Sequence, residues 1–448
     1  MAEIAPFRGL RYNLNRIPDL SKVVIPPYDV ISPEEQERFH EMSPFNMVRL
    51  ELGMKTDQDN EEDNVHRRAA GSLKQWVEEG ILLREETPSV YYYELDYDLA
   101  GRERQTRRGF ICALRLEDFS SGNVRPHEKT FQAVKDERLA LMRVCRANLS
   151  PVFALYGDSS QEVDHFLRQG KRGDPVLAFQ DEKGLEHRIW MVQDRGLLKQ
   201  VRERMQDKTL FIADGHHRYE TAVNFRNLMR REHPQAGPNA SFEFIMVYLS
   251  NMNQEGLTIL PTHRLLKNLH SANLEGVLKT ARDFFTISTH GVDEGAQEEW
   301  QQRLSEGADG QKTVMGLLGK DAAFFHILES KRESIDAFLA QGGVAPQLRT
   351  LDVVILDRIL LKHLMGLSES FLANEHNIHF KHDFGEAMEK VRKGFYDLGF
   401  FINPTRIEQV QEVAEAGLIM PHKSTYFYPK VGSGLVIRPL LQEEEAIL

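Results

Sequence analysis

The chain has 448 residues, 41% hydrophobic and 27% charged, with a net charge of −11 from 67 acidic and 56 basic side chains; this is the balance of a folded protein, and the length exceeds the roughly 250–300 residues at which one core stops growing. An acidic balance without a long basic run excludes a broad nucleic-acid footprint, and no stretch offers the ~18 apolar residues of a membrane span or the apolar core of a signal peptide. Two cysteines, Cys112 and Cys145, make neither a disulfide framework nor a zinc cluster, so the expected setting is the reducing cytoplasm.

Pro26 and Pro27 rule out a central strand near the start, and Ser32 with Pro33 and Glu35 reads as the beginning of a helix. Val65, Ala69, Leu73, Trp76 and Val77 recur at helical spacing before Gly80, a suitable terminator. Residues 90–97 and 107–116 predict a hairpin turning at Gly101, residues 151–156 a strand, and residues 176–179 and 188–192 a second hairpin around Gly184. The basic run 102–108 reads as a solvated hairpin, and Tyr91, Tyr92 and Tyr93 as core and edge strand.

A buried strand over 209–213 runs into Asp214 and Gly215, after which Tyr219, Ala222, Val223 and Phe225 place an apolar stripe on a helix lasting to about residue 231. Strands follow at 242–249 and 257–260. Beyond them come a helix at 273–285, strands at 313–318 and 323–328, and helices at 384–398 and 407–416, without an internal repeat. The expected fold class is α+β in two lobes: residues 1–255, a phosphate- or nucleotide-binding lobe, and residues 256–448, a second α+β lobe whose C-terminal block returns to the site.

The strongest chemical signal is the turn Asp214, Gly215, His216, His217, Arg218. Glycine lets backbone approach a ligand, and a helix start offers unpaired N–H groups and the positive end of its dipole to an anion. Arg218 adds a planar donor pair for phosphate oxygens, His216 and His217 donate hydrogen bonds or move protons, and Asp214 binds Mg²⁺ or orients a histidine. The bland alternative makes Asp214 a helix cap and the histidines ordinary surface residues.

A second group comprises Arg125, His127, Glu128, Thr130, Asp136 and Arg138. A kinase acting on an alcohol needs a carboxylate for the hydroxyl proton, which Glu128 would supply, against the alternative of a solvated surface residue. His127 with His216 and His217 also permits a metal site, although adjacent histidines diverge and no HExxH helix is present. Tyr28 and Asp29 follow two prolines on a rigid loop; Lys423, Ser424 and Thr425 offer a cation and two hydroxyls to phosphate; Thr262, His263 and Arg264 follow a strand as another anion contact or as a polar surface loop.

The DGHHR turn followed by YETA resembles the signature of the ParB and sulfiredoxin-like superfamily, in which a related turn at a helix start binds nucleotide phosphates. Over nearly the whole chain, the blocks PPYDVIS, RPHEKT, DGHHR, LPTHR and MPHKSTYFYPK resemble, in the same order, a widespread bacterial and archaeal family of uncharacterised proteins. The superfamily branch most similar at DGHHR includes kinases that phosphorylate free serine. That resemblance implies a ParB/sulfiredoxin-like mixed sheet core with a large N-terminal elaboration. It further implies phosphoryl transfer from ATP, ADP or pyrophosphate, with Mg²⁺, to a small hydroxyl metabolite; from charge and hydropathy, no nucleic-acid or membrane partner is expected. The alternatives are a nucleotide-controlled binding protein of the ParB type and a metal-dependent hydrolase.

Overall fold

The computed structural model describes residues 2–99, 103–269, 274–291, 296–308, 312–320 and 322–441. It is α+β throughout and divides into two compact units. The first comprises Met1–Pro126, Thr130–Leu257 and Pro429–Leu448; the second comprises His127–Lys129 and Thr258–Tyr428. The C-terminal block is therefore shared, its KSTYFY part lying in the second unit and its PK part in the first.

The first unit is built on a mixed sheet. Its strands run in the order Val124–Arg125, Leu210–Asp214, Val152–Tyr156, Phe244–Asn251, Gln105–Arg115, Val90–Tyr97, Glu186–Val192 and Leu177–Gln180, with Ile4–Ala5 also pairing Gln105–Arg115. Both expected hairpins form, with Gly184 at φ +79° in the second; Gly101 lies outside the described residues. Because side chains alternate along a strand, Tyr92, Phe110, Cys112, Ala154, Ile212 and Val247 share one face, an apolar core. Register places Asp214, Phe153, Tyr248, Arg107, Tyr93 and His187 on the other face.

The helices of this unit follow their local signals. Ser32 caps Pro33–Met42 in a reciprocal box with Glu35. The helix Val65–Glu78 starts at Asn64, buries Val65, Ala69, Leu73 and Trp76, and leaves Val77 40% exposed. The helix His216–Glu232 lies against Gln132–Cys145.

The second unit carries an antiparallel sheet in the order Phe285–Gly291, Phe324–Ser330, Val314–Gly319, Leu398–Phe401, His263–Leu266, Ile378–Lys381. Two expected helices are shorter than their apolar spacing suggests. One is Leu274–Ala281, stopped by turns at Asp283 and Phe284 so that Phe285 opens a strand; Asn273 lies outside the described residues. The other is Phe384–Arg392, ended by Gly394 at φ +75°, which releases residues 398–401 to the centre of the sheet. Among the described residues, no helix is long and apolar enough to cross a membrane.

Candidate phosphate-binding turn

All five residues of the strand Leu210–Asp214 are buried, and Gly215, at φ +87° and ψ 31°, turns the chain into the helix His216–Glu232. A Cβ at Gly215 would stand 2.9 Å from Nε of Arg218. The glycine therefore makes room for an arginine of its own helix, where the sequence suggested room for a ligand. Arg218 is buried, with Nη2 donating to Asp214 Oδ2 at 2.6 Å and Nη1 to the carbonyl of Pro151. Asp214 is no helix cap, since the cap position is Gly215 and no side chain serves it. Its second oxygen, Oδ1, accepts from Nζ of Lys430.

Arg218 and Lys430 thus both bond one carboxylate beside a helix start. There the N–H of Tyr219 is the one that returns to the carbonyl of Gly215, at 3.0 Å; the three amides before it, at 216–218, precede the helical ladder. Burial alone would weaken the charge on Arg218, but Asp214, then Asp29, Tyr28 and Glu51, outweigh it and hold its pKa above the usual value.

Asp29 and Tyr28 bring the PPYDVIS block within electrostatic reach of the turn. Tyr28–Val30 is one 3₁₀ turn between the two prolines and the capped helix. Arg138 lies 4.1 Å over the Tyr28 ring and reaches Glu51 Oε2 at 3.4 Å. Asp29 is exposed, whereas Glu51 is buried with no hydrogen-bond partner for Oε1.

The block at 125–138 divides. In the first unit, Arg125 donates to the carbonyl of Gly122, Thr130 to Glu220 Oε1 at 2.9 Å, and the N–H of Phe131 to Nε2 of His217 at 2.9 Å, with the two rings stacked. A His217 ring accepting at Nε2 carries its proton on Nδ1; the contact fixes the ring against the loop. His216, beside it, is buried. Asp136 accepts from Gln132 on its own helix at 2.7 Å.

His127 and Glu128 belong to the second unit. His127 is fully buried, with Nε2 3.0 Å from Thr425 Oγ1, and its carbonyl accepts from the N–H of Met420. Glu128 is half-buried within electrostatic reach of Arg264. The KST segment is also in this unit. Lys423 sits at φ +55°, Ser424 donates to the Pro421 carbonyl at 2.6 Å, and Ser424's own carbonyl accepts from Thr405. The lysine that reaches the DGHHR turn is instead Lys430.

Thr262, His263 and Arg264 are buried, so the polar-loop expectation fails. His263 accepts from the N–H of Ile402 at 3.3 Å and packs on Phe384 and Phe401; burial lowers its pKa to about 3. Arg264 donates to the carbonyls of Thr262, His422 and Lys423, and burial lowers its pKa to about 10. Arg264 thereby braces the 420–425 turn.

Arg107 is the residue that the sequence reading missed. Placed there in a solvated hairpin, it is 0% exposed, 4.8 Å from the Phe153 ring centre and 5.3 Å from that of Tyr248, with Nη1 donating to the Pro429 carbonyl. The alternation Arg107, Gly109, Ile111 on one strand is the signal that would have turned it inward. Among the described residues, no group of three or more His, Cys, Asp or Glu gathers as a metal cluster.

A family model described as "Protein of unknown function (DUF1015)" matches residues 4–354. No curated protein matches the chain. Solved structures similar to it include a free serine kinase in complex with AMP, at 13% identity over 74% of this chain and 90% of that one, with a TM-score of 0.32. A conserved hypothetical protein from Pyrococcus furiosus aligns at 13% identity over 71% and 94%, with a TM-score of 0.33. A C-terminally truncated SbnI from Staphylococcus aureus aligns at 8% identity over 75% and 90%, with a TM-score of 0.36.

Proposed function

The chain belongs to the DUF1015 family, and we propose that it is a phosphotransferase moving a phosphoryl group from ATP, ADP or pyrophosphate to a small hydroxyl metabolite. The observation that carries the reading is a helix start, within the first unit, beside Lys430 and Arg218, with the carboxylates Asp29 and Glu51 within electrostatic reach of that arginine. Phosphoryl transfer asks little of a protein beyond positioning and charge, and this constellation supplies both.

The donor's terminal phosphate sits on the amides of 216–218, with Lys430 and Arg218 beside it to stabilise the charge that spreads over the transferred group. Asp29 orients the acceptor hydroxyl and takes its proton as the oxygen attacks phosphorus; the bridging P–O bond breaks and the shortened donor leaves with the bond pair. Asp29 takes this role in place of Glu128 because it lies in the first unit, exposed and within electrostatic reach of Arg218. Free serine is the acceptor that the superfamily resemblance implies.

Mg²⁺ takes one or two carboxylates and fills its other positions with water and phosphate oxygens. Asp214 does not fit, since both its oxygens are held by cations, whereas Glu51 fits through its unpartnered, buried Oε1. When bound, the ion neutralises phosphate charge.

The test is a transfer assay with Mg²⁺ and each donor against free serine and a panel of small alcohols, on the natural protein and on Asp29→Asn and Lys430→Met. A phosphorylated product that both variants lose is the expected result. Donor binding without any product would reassign the chain as a nucleotide-controlled binding protein.

A further inference from the structure

A guanidinium is charged at every physiological pH, and burying one without an anion is among the more unfavourable arrangements in a protein. Arg107 is in that position. It is 0% exposed, and its Nη1 donates to a neutral carbonyl, that of Pro429. Nε and Nη2 have no partner, and no carboxylate among the described residues forms an ion pair with it. The hydroxyl of Tyr248 is likewise buried, with Arg107 and Ser250 as its polar neighbours, and Arg107 also lies within electrostatic reach of the Tyr93 hydroxyl. The Tyr93 hydroxyl is fixed by Nδ1 of His187 at 2.7 Å, and His187 stacks between Tyr93 and Phe179.

The position of this group matters as much as its imbalance. Phe153, under the guanidinium, is the ladder partner of Asp214, and Pro429, which Arg107 holds, precedes the lysine on Asp214. Arg107 and the phosphate turn thus occupy one face of one sheet and share the segment 429–430.

We propose that Arg107 is the carboxylate-binding residue of an acceptor subsite, so that the natural acceptor is a small hydroxy or amino acid. Its carboxylate lies on Nε and Nη2 of Arg107 with the Tyr248 hydroxyl alongside, and its hydroxyl faces the turn. This rests on the phosphotransferase reading and narrows it to acids. Entry of the ligand requires the cover over Arg107 to open. A planar two-donor face meeting a carboxylate is the pairing to which arginine is best suited, and it discriminates against analogues lacking the acid because the buried charge is then left unmatched.

The experiment is calorimetric titration of the full chain with phosphomonoesters that differ in the carboxylate: O-phosphoserine against phosphoethanolamine, and phosphoglycerate against glycerol phosphate, with pyrophosphate and glycerate as separate probes. The natural protein is expected to prefer the acid of each pair by at least about tenfold. Arg107→Met is expected to bind both members equally while keeping its affinity for pyrophosphate. Tyr248→Phe, which removes only the hydroxyl and leaves the ring packing, lowers the preference without abolishing it and serves if the arginine variant does not fold.

Equal binding of both members by the natural protein, or a preference that survives in Arg107→Met, overturns the carboxylate assignment and leaves the phosphate turn standing. Glycerate binding that needs Arg107, without any pyrophosphate binding, upholds Arg107 and overturns the phosphate turn. No binding of any probe overturns both.

Discussion

Asp214 and Lys430, 216 positions apart in the chain, form an ion pair in which the side chains are 10% and 11% exposed. With Arg218 on the other oxygen, one carboxylate holds two cations beside the start of the helix His216–Glu232.

Lys430→Met is therefore expected to act on stability and on binding together. Removing one partner of an enclosed pair leaves the other uncompensated, a loss of about 3 kcal/mol, moderated here because Arg218 still holds Asp214. Denaturant unfolding checks the first effect, and pyrophosphate titration, expected to weaken at least about tenfold, checks the second.

Gly215→Ala is expected to destabilise by about 1–3 kcal/mol, because the position has φ +87° and the new methyl would stand 2.9–3.0 Å from the Arg218 guanidinium. Arg218 must move to admit it, so donor affinity falls with stability. An alanine variant with unchanged thermal unfolding would show that the turn relaxes easily and that the arginine is not held there.

Asp29→Asn separates chemistry from folding. The side chain is exposed, and no ion pair involving it is present among the described residues. Thermal unfolding and donor affinity are expected to stay within error while turnover falls by about 10²–10⁴-fold. A variant of normal rate would remove Asp29 from the reaction.

In the second unit, Asp352 accepts from the N–H of Asn403 at 3.3 Å, and burial pushes its carboxyl up to about 7. Its folded pKa lies above the unfolded value near ~3.9, so the native state holds the proton more tightly. Stability from this group is complete below about pH 4, declines as pH rises and levels off above about pH 7. Asp352→Asn is expected to flatten that decline and to raise stability at pH 8 by something on the order of 2 kcal/mol, with little change at pH 4, as read by urea unfolding at the two pH values.

The sequence disclosed what is encoded locally. The Ser32–Glu35 box, the stripe on Val65–Glu78 and the strand-to-helix turn at Gly215 depend on residues within a few positions of one another, and each formed as expected. Arg107 was hidden because a run of basic side chains looks solvated until the strand's register turns one of them inward. Lys430 was hidden for a different reason. Within one block of lysines and hydroxyls, nothing local distinguishes Lys423, set in a turn at positive φ, from the lysine seven positions later that crosses to Asp214. The division of the RPHEKT block between two units is also a property of tertiary packing, invisible in any window of sequence.

The late position of Pro429 and Lys430 also sets an order on synthesis. A nascent chain makes Arg107, Asp214 and Arg218 long before residues 429 and 430 leave the ribosome, so the carbonyl that Arg107 holds and the second cation on Asp214 arrive only after residues 258–428 of the second unit have been translated. A product stalled anywhere in residues 258–428 has a fully specified first sheet but lacks both the carbonyl that Arg107 holds and the lysine on Asp214.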